Sequence, residues 1–424
     1  MASDLKREQA PTVAIFPWGD VVEEFLDPIG LTLEDFVERM TGGWLFGYVA
    51  ALQSAGWRAV IVCASEQVAA PRRLVHRETG AAVWAVPGRR AEYPYSSRRS
   101  LTQWLRTPWG GFARVLRAER CTALLAQEYE YARFDALALL AMAMRLPIFA
   151  TFQAGDVTLS PLECRVRPWT LRRSRGLVVA SAQERSRLAA TYGRLRLRIG
   201  DIPNPIDGEE WHAGSKSEAR AELGLPLDSF IAISHGRIDI RRKGLDVLIE
   251  AWLRFSAVRR DACLLLIGSG QDREEFARLL ASRGASGVTW HSAYVTDRPL
   301  MRRWLSASDA YVITSRVEGM PVAPLEAMAC GLPVVSTRAQ GLPDIFADGE
   351  RSGGILVRCG DAEGVASAIQ RLAASAELRE TLGRAARARI EARFSTRVVG
   401  RALADFMRPS GDEASMRCGG GASS

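Results

Sequence analysis

The stretch Glu318-Gly-Met-Pro-Val-Ala-Pro-Leu-Glu326-Ala-Met-Ala-Cys-Gly331-Leu-Pro333 decides how this chain is read. It follows the apolar run Ala310–Thr314, which reads as a buried strand. Gly319 turns the chain, Pro324 suits the first turn of a short helix, and Gly331 with Pro333 stops that helix. A helix start is thereby aimed outward from a strand's carboxyl end, where unpaired N–H groups and the helix dipole attract phosphate. Glu318 and Glu326 border the same point. Carboxylates repel an anion, so both are expected to accept hydrogen bonds from neutral hydroxyls such as those of sugars and ribose.

The matching cations lie in His235-Gly236-Arg237-Ile-Asp-Ile-Arg241-Arg242-Lys243-Gly244, directly after the run Phe230–Ser234. Gly236 and Gly244 permit close backbone approach, and Arg237 with Lys243 is expected to clamp a diphosphate. Only Lys6, Lys216 and Lys243 are lysines, so a lysine at this place stands out against an arginine-rich background. His235 reads as a packed or hydrogen-bonded neighbour of the clamp.

Working outward, two halves repeat one rhythm of short apolar runs and longer amphipathic segments, as parallel α/β layers do. The first half has runs at Thr12–Phe16, Ala59–Cys63, Ala82–Val86, Ala123–Ala126, Ile148–Phe152 and Gly176–Ala180. Helices are predicted over Trp44–Ser54 and Arg133–Met144. The second half has runs at Phe230–Ser234, Cys263–Ile267, Val288–His291, Ala310–Thr314, Pro333–Ser336 and Gly354–Val357. Asp201-Ile-Pro-Asn-Pro-Ile-Asp207 joins them as an extended turn, because prolines flanking the asparagine continue neither helix nor central strand. The expected units are residues 1–205, 206–394, a C-terminal helix over 395–409 packing back on the first unit, and a disordered tail over 410–424. Two Rossmann-like sheets facing across a cleft follow, with ligands beyond the carboxyl ends of the strands.

The 424 residues are 47% apolar and 25% charged, which excludes a disordered or fibrous chain. The longest uncharged apolar stretch, Ala136–Met144, is too short to span a bilayer, and the first residues lack a secretory pattern, so a cytoplasmic address is expected. The +8 formal charge comes almost wholly from arginine and carries little weight as a nucleic-acid signal. The seven cysteines form no CxxC pair and the four histidines are scattered, so reduced thiols and no metal centre are expected. The arginines 165, 167, 172, 173 and 175 read as a solvated face, with a membrane-surface patch as the alternative. The tryptophans read as core.

The Glu-x7-Glu spacing, the preceding Gly-Arg…Lys-Gly, the Ile-Pro-Asn-Pro joint and Gly268-Ser-Gly270 together resemble the family-4 retaining glycosyltransferases of GT-B fold. The resemblance reaches into the first half through Thr41-Gly42-Gly43-Trp44, Ala55-Gly56-Trp57 and Ser181–Gly193, and spans roughly residues 11–400. It implies that Arg237 and Lys243 bind the donor diphosphate and stabilise the departing charge. It implies further that Glu326 holds the ribose hydroxyls and Glu318 the donor sugar. Backbone amides of Gly319, Met320, Val322 and Ala323 would complete the phosphate cradle, with Gly42 and Gly43 adding a donor-side contact. The implied reaction is metal-independent, needs no cofactor beyond the nucleoside-diphosphate sugar, and retains configuration by same-face attack.

Where relatives place a histidine after the fifth strand, this chain has Gln153, with Asp156 close behind. These two, together with Glu128, Arg133 and Asp20, are the acceptor candidates, and a helix-start charge pattern is the alternative for Glu128, Glu130, Arg133 and Asp135. The acidic segment Gly19–Met40, with Asp20, Glu23, Glu24 and Asp27, is expected to meet a polyhydroxylated or cationic acceptor. A sugar-containing, natural-product or lipid-linked acceptor is expected, with peripheral membrane contact and no nucleic acid. The rival readings are a sugar-nucleotide epimerase or phosphorylase on the same fold, and a non-catalytic scaffold in polysaccharide assembly.

Overall fold

The computed structural model describes residues 10–40, 43–91, 96–153 and 159–408. The apolar runs become strands because only a sheet covered on both faces buries every side chain along them. In the first unit these are β1 (Thr12–Phe16), β2 (Arg58–Ser65), β3 (Arg72–Val75), β4 (Ala82–Pro87), β5 (Ala123–Gln127), β6 (Ile148–Thr151), β7 (Gly176–Val178) and β8 (Ile199–Gly200). They form one sheet in the order β3-β4-β2-β1-β5-β6-β7-β8, parallel except for β3. The second unit holds β9 (Phe230–His235), β10 (Ala262–Ile267), β11 (Val288–His291), β12 (Ala310–Ile313), β13 (Val334–Thr337) and β14 (Gly354–Val357). Its order, β11-β10-β9-β12-β13-β14, is parallel throughout.

The pleat divides each sheet between two cores. Along β1, Val13 and Ile15 face one apolar cluster while Ala14 and Phe16 face the other. Along β9, Ile231 and Ile233 part from Phe230 and Ala232 in the same way.

Two chain crossings connect the units, and they lie side by side. Ile206 donates its N–H to the Phe394 carbonyl at 2.8 Å and accepts from the Thr396 N–H at 3.0 Å. The helix Thr396–Met407 then lies on the helix Gly43–Ser54 of the first unit. Gly400 makes that approach possible, since a Cβ there would sit 1.9 Å from the Ala51 carbonyl oxygen. Val399, Leu403, Ala404 and Met407 enter the same apolar cluster as Val13 and Ile15.

Three details differ from the sequence reading. β3 and β8 are short edge strands that it passed over. Arg167 is not on a solvated face: it is fully buried, its Nε 2.9 Å from Asp135 Oδ1, with further bonds to Glu163 and the Tyr131 carbonyl. Trp18 and Trp44 are only partly buried and leave the core, as described below. Cys63, Cys121, Cys164, Cys263, Cys330 and Cys359 are free thiols, and burial pushes that of Cys63 up to about 12. Cys418 and the tail lie outside the described residues. Among the described residues no helix is long and apolar enough to cross a membrane.

Candidate active site

The carboxyl ends of the two sheets face one another across a cleft of about 440 Å³. Arg237, Lys243, Glu318 and Glu326 all line it, together with Gly319, Met320, Val322 and Ala323. The topology explains the convergence. β9 and β12 are neighbours at the centre of their sheet, so the loops leaving their carboxyl ends open onto the same space.

Three of the four charged groups, Lys243, Glu318 and Glu326, are held by their surroundings. Asp239 caps the short helix Ile240–Lys243 by accepting from the Arg242 N–H, and Gly244 ends it at φ 62°. The Thr314 hydroxyl, at the end of β12, reaches the Gly244 carbonyl at 2.9 Å and that of Lys243 at 3.2 Å. Lys243 Nζ thereby stands 2.6 Å from Glu318 Oε1, which also accepts from the Ser315 hydroxyl at 2.6 Å. Glu318 is buried. His235 Nε2 pairs with Glu326 Oε2 at 2.8 Å, while its Nδ1 is buried without a partner among the described residues. Tyr311 donates to the His235 carbonyl at 3.1 Å, and burial raises the Tyr311 phenol. Arg237 is exposed and makes no hydrogen bond or ion pair among the described residues, so its guanidinium stands available at the cleft.

The loop bearing Glu318 is fixed from behind by a residue that sequence reasoning missed. Gly341, at φ 81°, packs so closely that a Cβ would lie 1.5 Å from the Gly319 carbonyl oxygen. Alanine there meets both the left-handed backbone penalty of ~1–2 kcal/mol and a backbone clash. Gly341→Ala is expected to lower the melting temperature by about 4–8 °C. A thermal melt of the variant checks this, and a shift below 1 °C would show that the loop yields freely.

From the first unit, Gln153 and Glu128 reach the cleft, but they are tied into a network. Gln153 Nε2 donates to Gln127 Oε1, Thr151 Oγ1 and Asn204 Oδ1 at 3.2, 3.2 and 3.1 Å. Asn204 Nδ2 in turn donates to Gln153 Oε1 at 3.0 Å and to the Met320 carbonyl at 2.7 Å. Asn204 thus links the joint between the units to the loop of the second one. The Ile-Pro-Asn-Pro motif marked the joint but not this contact. Glu128 accepts from the Glu130 and Gln153 N–H groups at 3.0 and 2.9 Å.

Asp20 and Arg133 lie apart from the walls of the cleft. Both are buried, and Arg133 donates to the Asp20 carbonyl at 2.8 Å. The other acids of the early segment are also spent inside the first unit. Glu23 accepts from the Ser65 hydroxyl and the Glu66 N–H, and Asp27 pairs with Arg90 at 2.8 Å. Glu24 accepts from the Asp20 N–H, and burial, with the Asp20 charge behind it, pushes its carboxyl up to about 7. Glu130 pairs with Arg187, and Asp135 with Arg167. Gly43 opens its helix; Gly42 and Asp156 lie outside the described residues. Among the described residues no group of His, Cys, Asp and Glu is arranged to hold a metal ion.

The first unit turns rings toward the cleft, of which Phe25 comes from the acidic segment. Trp18 stacks on Tyr131 with centroids 5.8 Å apart, and meets Phe25 at 6.2 Å and Trp44 at 6.3 Å. Phe25 meets Trp44 edge-on at 5.8 Å. All four rings line the cleft with Ile29 and Met40.

Both units are similar to known protein families. Residues 45–210 match the family described as Glycosyltransferase Family 4, and residues 229–375 the family described as Glycosyl transferases group 1. A lipopolysaccharide core biosynthesis glycosyltransferase of Rhizobium meliloti is 36% identical over 180 residues, covering 42% of this chain and 50% of the relative. A D-inositol 3-phosphate glycosyltransferase of Saccharomonospora viridis is 34% identical over 241 residues, 55% of each. The chain spans about half the length of the curated relatives it matches. Among solved structures, sucrose-phosphate synthase from Thermosynechococcus elongatus superposes with a TM-score of 0.72 at 20% identity, covering 93% of this chain and 98% of the other. HepE from Anabaena, solved with UDP-glucose, gives 0.68 at 18% identity, again covering 93% and 98%. At such identities the likeness establishes the fold, two Rossmann-like units of GT-B type.

Proposed function

The chain belongs to the glycosyltransferases of family 4 and group 1, and on that premise we propose that it moves a sugar from a nucleoside-diphosphate sugar to an acceptor hydroxyl with retention. The observation that carries the reading is the meeting of Arg237, Lys243, Glu318 and Glu326 on one cleft between two sheets. Two cations suit a diphosphate, and two carboxylates beside them suit hydroxyls. That HepE was solved with UDP and with UDP-glucose supports a donor of this class.

In this reading the second unit binds the donor. Arg237 and Lys243 neutralise the diphosphate and stabilise the charge that grows on it as the glycosidic bond breaks. Glu326, oriented by His235, accepts from the ribose hydroxyls. Glu318, oriented by Lys243 and Ser315, accepts from hydroxyls of the transferred sugar. The acceptor hydroxyl attacks from the face the diphosphate leaves, and the leaving phosphate oxygen takes its proton. The protein cations supply the positive charge, so the reaction runs without a bound metal. Closure of the cleft excludes water and protects the donor from hydrolysis.

A thermal-shift screen against UDP-, GDP-, ADP- and dTDP-sugars tests the reading. A donor present at a hundred times its Kd stabilises the folded state by ~2.7 kcal/mol, which raises the melting temperature by about 5 °C or more. If none of the four classes shifts the melt, the donor assignment fails.

A further inference from the structure

The first unit's wall of the cleft is built from rings that three stretches of the chain bring together, Trp18 with Phe25, Trp44, and Tyr131. Trp18 follows β1, Phe25 lies in the short helix Glu23–Leu26, Trp44 is at the start of the helix Gly43–Ser54, and Tyr131 follows β5. Every one of the four is half-buried, with rings in mutual contact and surface left toward the cleft. Trp84, Trp104 and Trp109 are half-buried as well, so what sets these four apart is that they open together onto one cleft.

The Glu128 carboxylate and the Gln153 amide beside the rings already carry hydrogen bonds. Both Glu128 carboxylate oxygens accept backbone N–H groups, and the Gln153 amide is shared among Gln127, Thr151 and Asn204. A pyranose stacked here would need partners for the hydroxyls around its rim, and would share a carboxylate and an amide that already carry bonds. Charge separates the walls as well. Among the described lining residues Arg237, Arg242, Lys243 and Arg298 all belong to the second unit, and none of the first unit's is Lys or Arg. Arg298 is already met by Glu78 and Glu210, and the other three cations lie in the segment Arg237–Lys243, where the diphosphate is to sit.

We infer that this wall is the acceptor site and that it takes an uncharged alcohol or phenol with an apolar ring face, rather than a phosphorylated or polyhydroxylated sugar. The rings of Trp18, Trp44 and Tyr131 stack against that face, Phe25, Ile29 and Met40 border it, and the hydroxyl points at the donor side. The inference rests on the transferase reading for its acceptor hydroxyl, whereas the affinity for an apolar ring does not depend on the donor.

Calorimetric titration with naphthol, methyl glucoside and inositol phosphate tests it, on the wild type and on Trp44→Ala, Trp18→Ala and Trp44→Phe. Naphthol is expected to bind the wild type more tightly than either polyol. Its affinity should fall about tenfold or more in each alanine variant and stay within about threefold in Trp44→Phe, which keeps a ring in place. Tighter binding of methyl glucoside or inositol phosphate than of naphthol would overturn the inference, as would unchanged naphthol affinity in both alanine variants. The melting shift given by the nucleotide sugar is read on the same samples and should survive every substitution. Loss of that shift in the wild type, with naphthol still bound, would sink the transferase reading and leave the ring site standing.

Discussion

Lys243→Ala is expected to lower kcat by ~100-fold to 1000-fold, the cost of removing one preorganised group from developing negative charge. The size follows from how the ammonium is held. The Asp239 cap, the left-handed Gly244 and the Thr314 hydroxyl fix the backbone on both sides, and Glu318 fixes Nζ at 2.6 Å. A cation positioned before the donor arrives spends little reorganisation when the leaving charge appears. Arg241 does not line the cleft, whereas Arg242 lines it beside Lys243, on a turn pinned where its carbonyl accepts the Arg316 and Val317 N–H groups. The variant also strips Glu318 of its counter-ion, so steady-state kinetics should be paired with a thermal melt. A kcat within threefold of wild type, in a protein that melts normally, would take Lys243 out of the leaving-group role.

Glu326→Ala acts on a different quantity. Hydrogen bonds to a charged group are worth ~1.5–3 kcal/mol, so donor Kd is expected to rise roughly 10-fold to 100-fold. kcat at saturating donor should change much less, since ribose contacts are as strong before bond breaking as during it. Glu326→Gln keeps the shape and one acceptor oxygen and should fall between. Calorimetry with the nucleoside diphosphate measures the effect without turnover. Wild-type affinity in the alanine variant would move the ribose contact elsewhere.

What could be read from the sequence was what a short window contains. The stretch from Glu318 to Pro333 carries its own punctuation in glycine and proline, and the strands at its back are unbroken apolar runs. Both are local signals, and their spacing alone put the four charged residues near one cleft. β3 carries two arginines in four residues and β8 is two residues long, so neither offers a run to detect. Arg167 reads as solvated because its partner Asp135 sits 32 positions earlier.

The wall opposite the donor was illegible for the same reason. Trp18, Phe25, Trp44 and Tyr131 lie on three stretches of the chain, and no periodicity connects them. In the acidic segment the carboxylates drew attention, yet Ser65 and Glu66 hold Glu23 inside, Arg90 pairs with Asp27 at the surface, and the rings are what face the cleft. Gly341 and Asn204 share this character. Each matters through one backbone carbonyl, Gly319 or Met320, contributed by a remote loop.

The helix Thr396–Met407 bears on how the molecule is made. It supplies Val399, Leu403, Ala404 and Met407 to a core whose other members begin at Val13. On a translating ribosome, the first unit must wait, with an uncovered apolar strip along the Gly43–Ser54 helix, until the helix that begins at Thr396 has been read, 342 codons after Ser54 (396 − 54). The half synthesised earliest is therefore the one sealed last, and a nascent chain stalled short of that helix would offer its bare strip to chaperones.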